Sequence, residues 1–218
     1  MKNTTIKKSW RDVSINEYYD LKEKLEECSE PTDEAIVKIA FINNMDEDEV
    51  WDLSIDKFRE LQVESLWMDE FNISGDIKFK NIEINGSKYS IDTNLQHFTV
   101  AQYIDFQTFY SKRKNNERVL GNILSCFIIP KGKKYASDYD ITEVISEINS
   151  SLDIMTANEI LFFFLKQYLI LMRATANYFN WILSKVKRKR KSQEITNLEM
   201  SWNQMKKTIL DGLHLLTT

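Results

Sequence analysis

Apolar side chains recur at helical spacing at Leu161, Phe164, Leu165, Tyr168, Leu171, Met172, Thr175, Tyr178, Phe179 and Ile182. That spacing marks one face of a helix. It predicts a long C-terminal helix from Thr156 to about Lys191, opened by a capping box in which Thr156 and Glu159 satisfy each other's backbone N–H. A second apolar set, Phe162, Phe163, Leu169, Ile170, Ala174 and Trp181, lies beside the first. The polar stripe left over is narrow: Glu159, Lys166, Arg173, Asn177 and Asn180. Such a helix calls for cover on most sides, from its own domain or from another chain. It is not a membrane span, because the unbroken apolar run Ile160–Leu165 falls far short of the ~20 residues a bilayer needs.

The same periodicity predicts shorter helices upstream. Ser14 and Glu17 form a capping box ahead of Tyr18, Leu21 and Leu25, and this helix should end near Cys28, before Pro31. Thr32 begins a second, burying Ala35, Ile36, Ile39, Ala40 and Ile42. The four acids Asp46–Glu49 suit the positive end of a short helix. They lack the alternating ligands and the turn glycine of a calcium loop. Ser54 caps a helix to about Trp67, with Phe58, Leu61 and Leu66 available to pack.

Near Phe71 the period changes to two. Ile77–Ile84 alternates apolar and polar residues, Asn85-Gly86 gives the strongest short hairpin signal, and Lys88–Ile91 returns. A lone hairpin is marginal in water, so its apolar side should rest on something apolar. Thr99 and Gln102 cap another helix through Tyr110. Asn116 starts one that packs Val119, Leu120, Ile123, Leu124 and Phe127. A basic loop from Pro130 to Tyr135 is the clearest break, dividing the chain into 1–130 and 131–218. Asp140 caps a short helix, and Glu194–Leu216 closes the chain as a last one. The fold class is mainly α, with one small antiparallel hairpin at about 77–91.

Composition sharpens this picture. Among 218 residues there are 5 Gly and 2 Pro, which suits helices better than a loop-rich β protein. The start of the chain has no apolar segment of the secretory kind. Cys28 and Cys126 are too few for a disulfide scaffold and match no metal spacing. Residues 1–100 carry 12 basic and 22 acidic side chains, and residues 101–218 carry 17 and 11. The halves are opposite in sign, and such surfaces attract within a molecule or between neighbours.

Candidate chemistry is sparse. There is no glycine-rich phosphate loop, no nucleophile elbow and no paired-histidine motif. His97 and His214 stand far apart, and nothing selects a pair of acids for proton transfer. No enzyme, cofactor or metal is expected. The basic run that includes Lys187, Arg188, Lys189, Arg190 and Lys191 could contact phosphates, but no base-reading side chains are interleaved with it. The plainer reading is a basic helix end docking on the acidic half.

Two stretches carry a resemblance. Ser9-Trp-Arg-Asp-Val-Ser-Ile-Asn-Glu-Tyr18, the Ala35–Ile42 helix and Asp48–Phe58 are similar to small tail-assembly chaperones of tailed bacteriophages. The hairpin with Phe98–Phe106 resembles the middle of related tail or baseplate assembly proteins. Together they cover about half the chain, and the last third matches neither. The resemblance implies a non-enzymatic morphogenesis protein that binds other virion proteins in the host cytoplasm. A structural neck, ring or tail component that remains in the virion is the rival. In either case Phe162, Phe163, Leu169, Ile170 and Trp181 are the candidate contact residues, toward a second copy or another virion protein.

Overall fold

The computed structural model describes residues 6–72, 80–113 and 118–187. The chain divides into two compact units, Met1–Phe163 and Phe164–Thr218, and the division falls inside the last described helix. The described residues are mainly helical, with a single three-stranded antiparallel sheet.

In the first unit, α1 (Ile15–Glu27) opens on the expected box. The Glu17 N–H donates to Ser14 Oγ at 3.3 Å, and the Ser14 N–H donates to the Glu17 carboxylate at 2.8 Å. The helix stops at Cys28, as the proline ahead requires. α2 (Pro31–Asn43) begins one residue before the expected Thr32. Pro31 itself is its first residue, where a fixed φ and a missing N–H are harmless.

α3 (Glu47–Trp51) has its three acids in the first turn, and α4 (Ile55–Glu64) follows a Ser54 cap. The three helices enclose a small core of Ile36, Ile39, Ala40, Val50 and Leu61, with Met45, Leu53 and Phe58 against it. α4 was expected to reach Trp67 but ends at Glu64, where the chain tightens into a 3-10 turn, Leu66–Asp69. The tightening carries Met68 inward and leaves Leu66, expected to pack, exposed.

β1 (Asn81–Ile84) and β2 (Ser87–Ile91) pair with Ile82 opposite Tyr89. Asn85 and Gly86 have φ of 49° and 80°, the left-handed pair that a tight twisted hairpin demands. The part of the expected hairpin at residues 77–79 lies outside the described residues. A third strand, β3 (Ile128–Pro130), was not expected and pairs along β2 with Ile91 opposite Ile128. It is too short to show a period of its own. Ile84, Tyr89, Ile91 and Ile128 are buried on the face this register creates.

α5 (Val100–Lys112) opens on the expected Thr99–Gln102 box. α6 (Leu120–Ser125) follows Val119; the expected start at Asn116 lies outside the described residues, and Cys126 and Phe127 lead the chain into β3. Its apolar residues are buried as expected: Val119, Leu120, Ile123, Leu124 and Phe127. α7 (Ile141–Ser151) packs on α6, α1 and β1, and the Thr142 N–H donates to Asp140 at 2.8 Å.

α8 (Ile154–Lys187) starts two residues before the expected Thr156. Asp153 is the capping side chain, accepting the Thr156 N–H at 2.8 Å. The chain is fixed there by a backbone bridge: Ile154 N–H donates to Val13 O at 2.8 Å, and Ile15 N–H to Leu152 O at 3.2 Å. The Glu159 carboxylate is therefore not part of a cap. It is nearly buried and accepts from Arg11. The expected last helix, Glu194–Leu216, lies outside the described residues.

Candidate functional site

The exposed side of α8 within the second unit is the first candidate. A helix turns 100° per residue, so Lys166, Ile170, Arg173, Asn177 and Trp181 fall on one side of it. All five are exposed, Ile170 and Trp181 each to 53%. Tyr178 is 59% exposed and stacks on Trp181, with ring centroids 6.0 Å apart and planes 24° from parallel. Apolar and aromatic groups thus alternate with a guanidinium and an ammonium along a face of the helix.

Of the five contact residues expected from sequence, Ile170 and Trp181 are on this surface. Phe162, in the first unit, is 38% exposed. Phe163 and Leu169 are half-buried, so they support the helix more than they present a surface. Tyr178 was grouped with the covered residues. Its position borders both apolar sets, and spacing alone does not show that its ring leans onto Trp181. The polar stripe holds at Lys166, Arg173 and Asn177 and fails at Glu159.

Lys187 is the last described residue of α8. Arg188, Lys189, Arg190 and Lys191, the other candidate phosphate contacts, lie outside the described residues.

A second surface lies in the first unit between α2, α3 and α4. A hollow of about 210 Å³ is lined by Thr32, Ile36, Val50, Leu53 and Phe58, with Trp51 and Ile55 beside them. Its floor is buried core, whereas Trp51 and Ile55 are each 63% exposed. Acids crowd this stretch: Asp46–Glu49, Asp52 and Asp56, with Asp33 and Glu34 in the first turn of α2. The run of acids was visible in the sequence, but the pairing of Trp51 with a hollow was not, because Ile36 and Phe58 reach it from other helices.

Several polar groups pair with one another inside the first unit. Tyr135 donates to Asp105 at 2.8 Å and lies 3.7 Å from Cys126 Sγ. Burial pushes the Cys126 thiol up to about 12, which leaves it protonated and unreactive. Tyr89 donates to Glu147, and burial followed by that carboxylate raises its hydroxyl well above the usual range. His97 is held in an exposed loop between Asp92, at 2.8 Å from Nδ1, and Asn94, at 3.2 Å from Nε2. Both ring nitrogens are engaged within that loop. Among the described residues no three His, Cys, Asp or Glu side chains are grouped to hold a metal ion. No described helix is long and apolar enough to cross a membrane.

Compared with family models, curated proteins and solved structures, the chain matches none.

Proposed function

We propose that this chain is a non-enzymatic assembly protein that works by binding other proteins, in the manner of the tailed-phage tail and baseplate chaperones its first half resembles. The observation that carries the reading is the exposed row on α8. Tryptophan, tyrosine and arginine are the residues most enriched where binding energy concentrates, and Arg173, Tyr178 and Trp181 lie within three turns of one helix. Burying one large apolar side chain stabilises by roughly 1.5–3 kcal/mol, so Ile170, Tyr178 and Trp181 together offer several kcal/mol to a partner that covers them. An exposed apolar patch rimmed by polar groups is the usual mark of an interaction site.

The test uses the full chain co-expressed with the tail proteins of a candidate phage operon. Co-purification that is lost in an Ile170→Ser, Trp181→Ser variant, with its circular dichroism unchanged, is the expected result. A variant that still co-purifies in full overturns the role of this surface. Mass spectrometry of mature particles then separates a chaperone, which is absent, from a neck, ring or tail component, which is abundant.

A further inference from the structure

The hollow between α2, α3 and α4 is a different surface from the α8 row, on a different unit, and has a different chemistry. Its floor is rigid, because Ile36 and Val50 belong to the buried core of the three helices. Its mouth is apolar, with Trp51 and Ile55 exposed beside it. Asp48 and Asp52 flank Trp51 in the sequence, and Asp56 follows Ile55. Ion pairs in this stretch take up Glu47 with Lys24 at 2.6 Å, Asp69 with Lys38 at 2.8 Å and Glu60 with Lys57 at 3.0 Å. From Asp46 to Asp69 there are nine acidic and two basic side chains. A flat apolar surface would accept many partners. An apolar hollow on a stretch of chain with this excess of acidic side chains disfavours acidic partners and favours basic ones.

We propose that this hollow docks a basic amphipathic helix of a partner protein. One large apolar side chain of that helix enters between Trp51 and Phe58, and its lysines or arginines face Asp48, Asp52 and Asp56. The volume fits a single leucine- or phenylalanine-sized anchor, and helix-in-groove recognition works through such anchors. The rim sets partner choice and the rate of encounter, so salt weakens the contact.

The experiment titrates the full chain with synthetic helical peptides that carry one central leucine and either lysines or glutamates on the opposite face. Fluorescence anisotropy reads the binding. The lysine peptide is expected to bind, the glutamate peptide is not, and 0.5 M salt should reduce affinity by about tenfold or more. Asp52→Lys with Asp56→Lys should cost a similar factor. Trp51→Ala should weaken binding with its salt dependence retained, which a purely ionic attachment to an acidic surface does not predict. Both sets of positions are exposed, so the fold tolerates the changes.

Equal binding of the two peptides, or binding unaffected by both variants, overturns the proposal. So does a result in which replacing Lys187–Lys191 by serines is needed before the lysine peptide binds. In that case the occupant is the chain's own basic run. Loss of peptide binding leaves the α8 test untouched, since that test reads a different surface.

Discussion

Arg11 reaches across from the start of the chain to α8 and donates from Nη2 to Glu159 Oε1 at 2.7 Å. Its Nη1 donates to Thr156 Oγ1 at 3.2 Å, so one guanidinium holds two side chains of the first turns of α8. The Glu159 side chain is 11% exposed, and removing its partner leaves a carboxylate largely shielded from water. Arg11→Met should therefore lower unfolding stability by about 1–3 kcal/mol. The check is a double-mutant cycle in urea: Arg11→Met with Glu159→Met should be less destabilised than Arg11→Met alone. Additive losses would mean the pair is not coupled.

At Gly121, α6 meets the side chain of Asn149 on α7. A methyl group there would meet Asn149 Oδ1 at 2.1 Å, and the rest of that amide within 2.8 Å. A methyl group there has to displace the half-buried Asn149 amide, so Gly121→Ala is expected to cost about 1 kcal/mol despite alanine's better helix propensity. Adding Asn149→Ala should return part of the loss. If Gly121→Ala is as stable as the parent, the Asn149 amide moves aside without loss.

Glu17 gives the acid side of the stability curve. Burial raises its carboxyl, but the Ser14 N–H, the Lys7 ammonium at 3.1 Å and the Ser14 hydroxyl outweigh it and hold the group below its ordinary value. A carboxyl lowered in the folded state stabilises above its unfolded pKa, and that contribution disappears as pH falls through the folded value. Thermal melts of the parent and Glu17→Gln should differ at neutral pH and converge in acid below the usual glutamate range. A gap that stays constant down to that range would sink this account.

The two cysteines should react in a fixed order. Cys126 is fully buried with its thiol pushed up to about 12, whereas Cys28 is half-buried at the end of α1. Iodoacetamide on the folded protein should label Cys28 first and reach Cys126 at the rate of unfolding. Peptide mapping across a time course shows the order, and simultaneous labelling would contradict the burial of α6.

Phe163 and Ile170 separate support from surface. Ile170→Ser should change stability by less than about 0.5 kcal/mol. Phe163→Ser, at a half-buried site, should cost about 1–2 kcal/mol. Calorimetry of the two single variants tests the assignment, and equal losses would remove the distinction between them.

What could be read directly from the chain was local. Ser14, Thr99 and Asp140 each announce a helix because the partner of a cap lies within three residues, and Asn85-Gly86 announces a hairpin because the turn needs only itself. The start of α8 was misplaced for the opposite reason. Thr156 and Glu159 fit a box locally, but the competing cap, Asp153, is fixed by a bridge to residues nearly the whole unit away. β3 was invisible because three residues carry no period, and its partner strand supplies the register. The α8 surface was half legible: helical spacing identified Ile170 and Trp181, while the half-burial of Phe163 and Leu169 depends on packing. The hollow beside Trp51 draws its walls from three helices, and no window of sequence contains it.

The bridge between Ser14 and Asp153 sets the order in which the protein can become itself. Val13 and Ile15 are fully buried where the chain bridges to Leu152 and Ile154, so that burial closes only when nearly the whole first unit has been made. Such distant closure slows folding relative to neighbour-by-neighbour packing. A nascent chain arrested at residue 140 should remain sensitive to protease around α1, and one extended past 163 with a linker beyond it should resist.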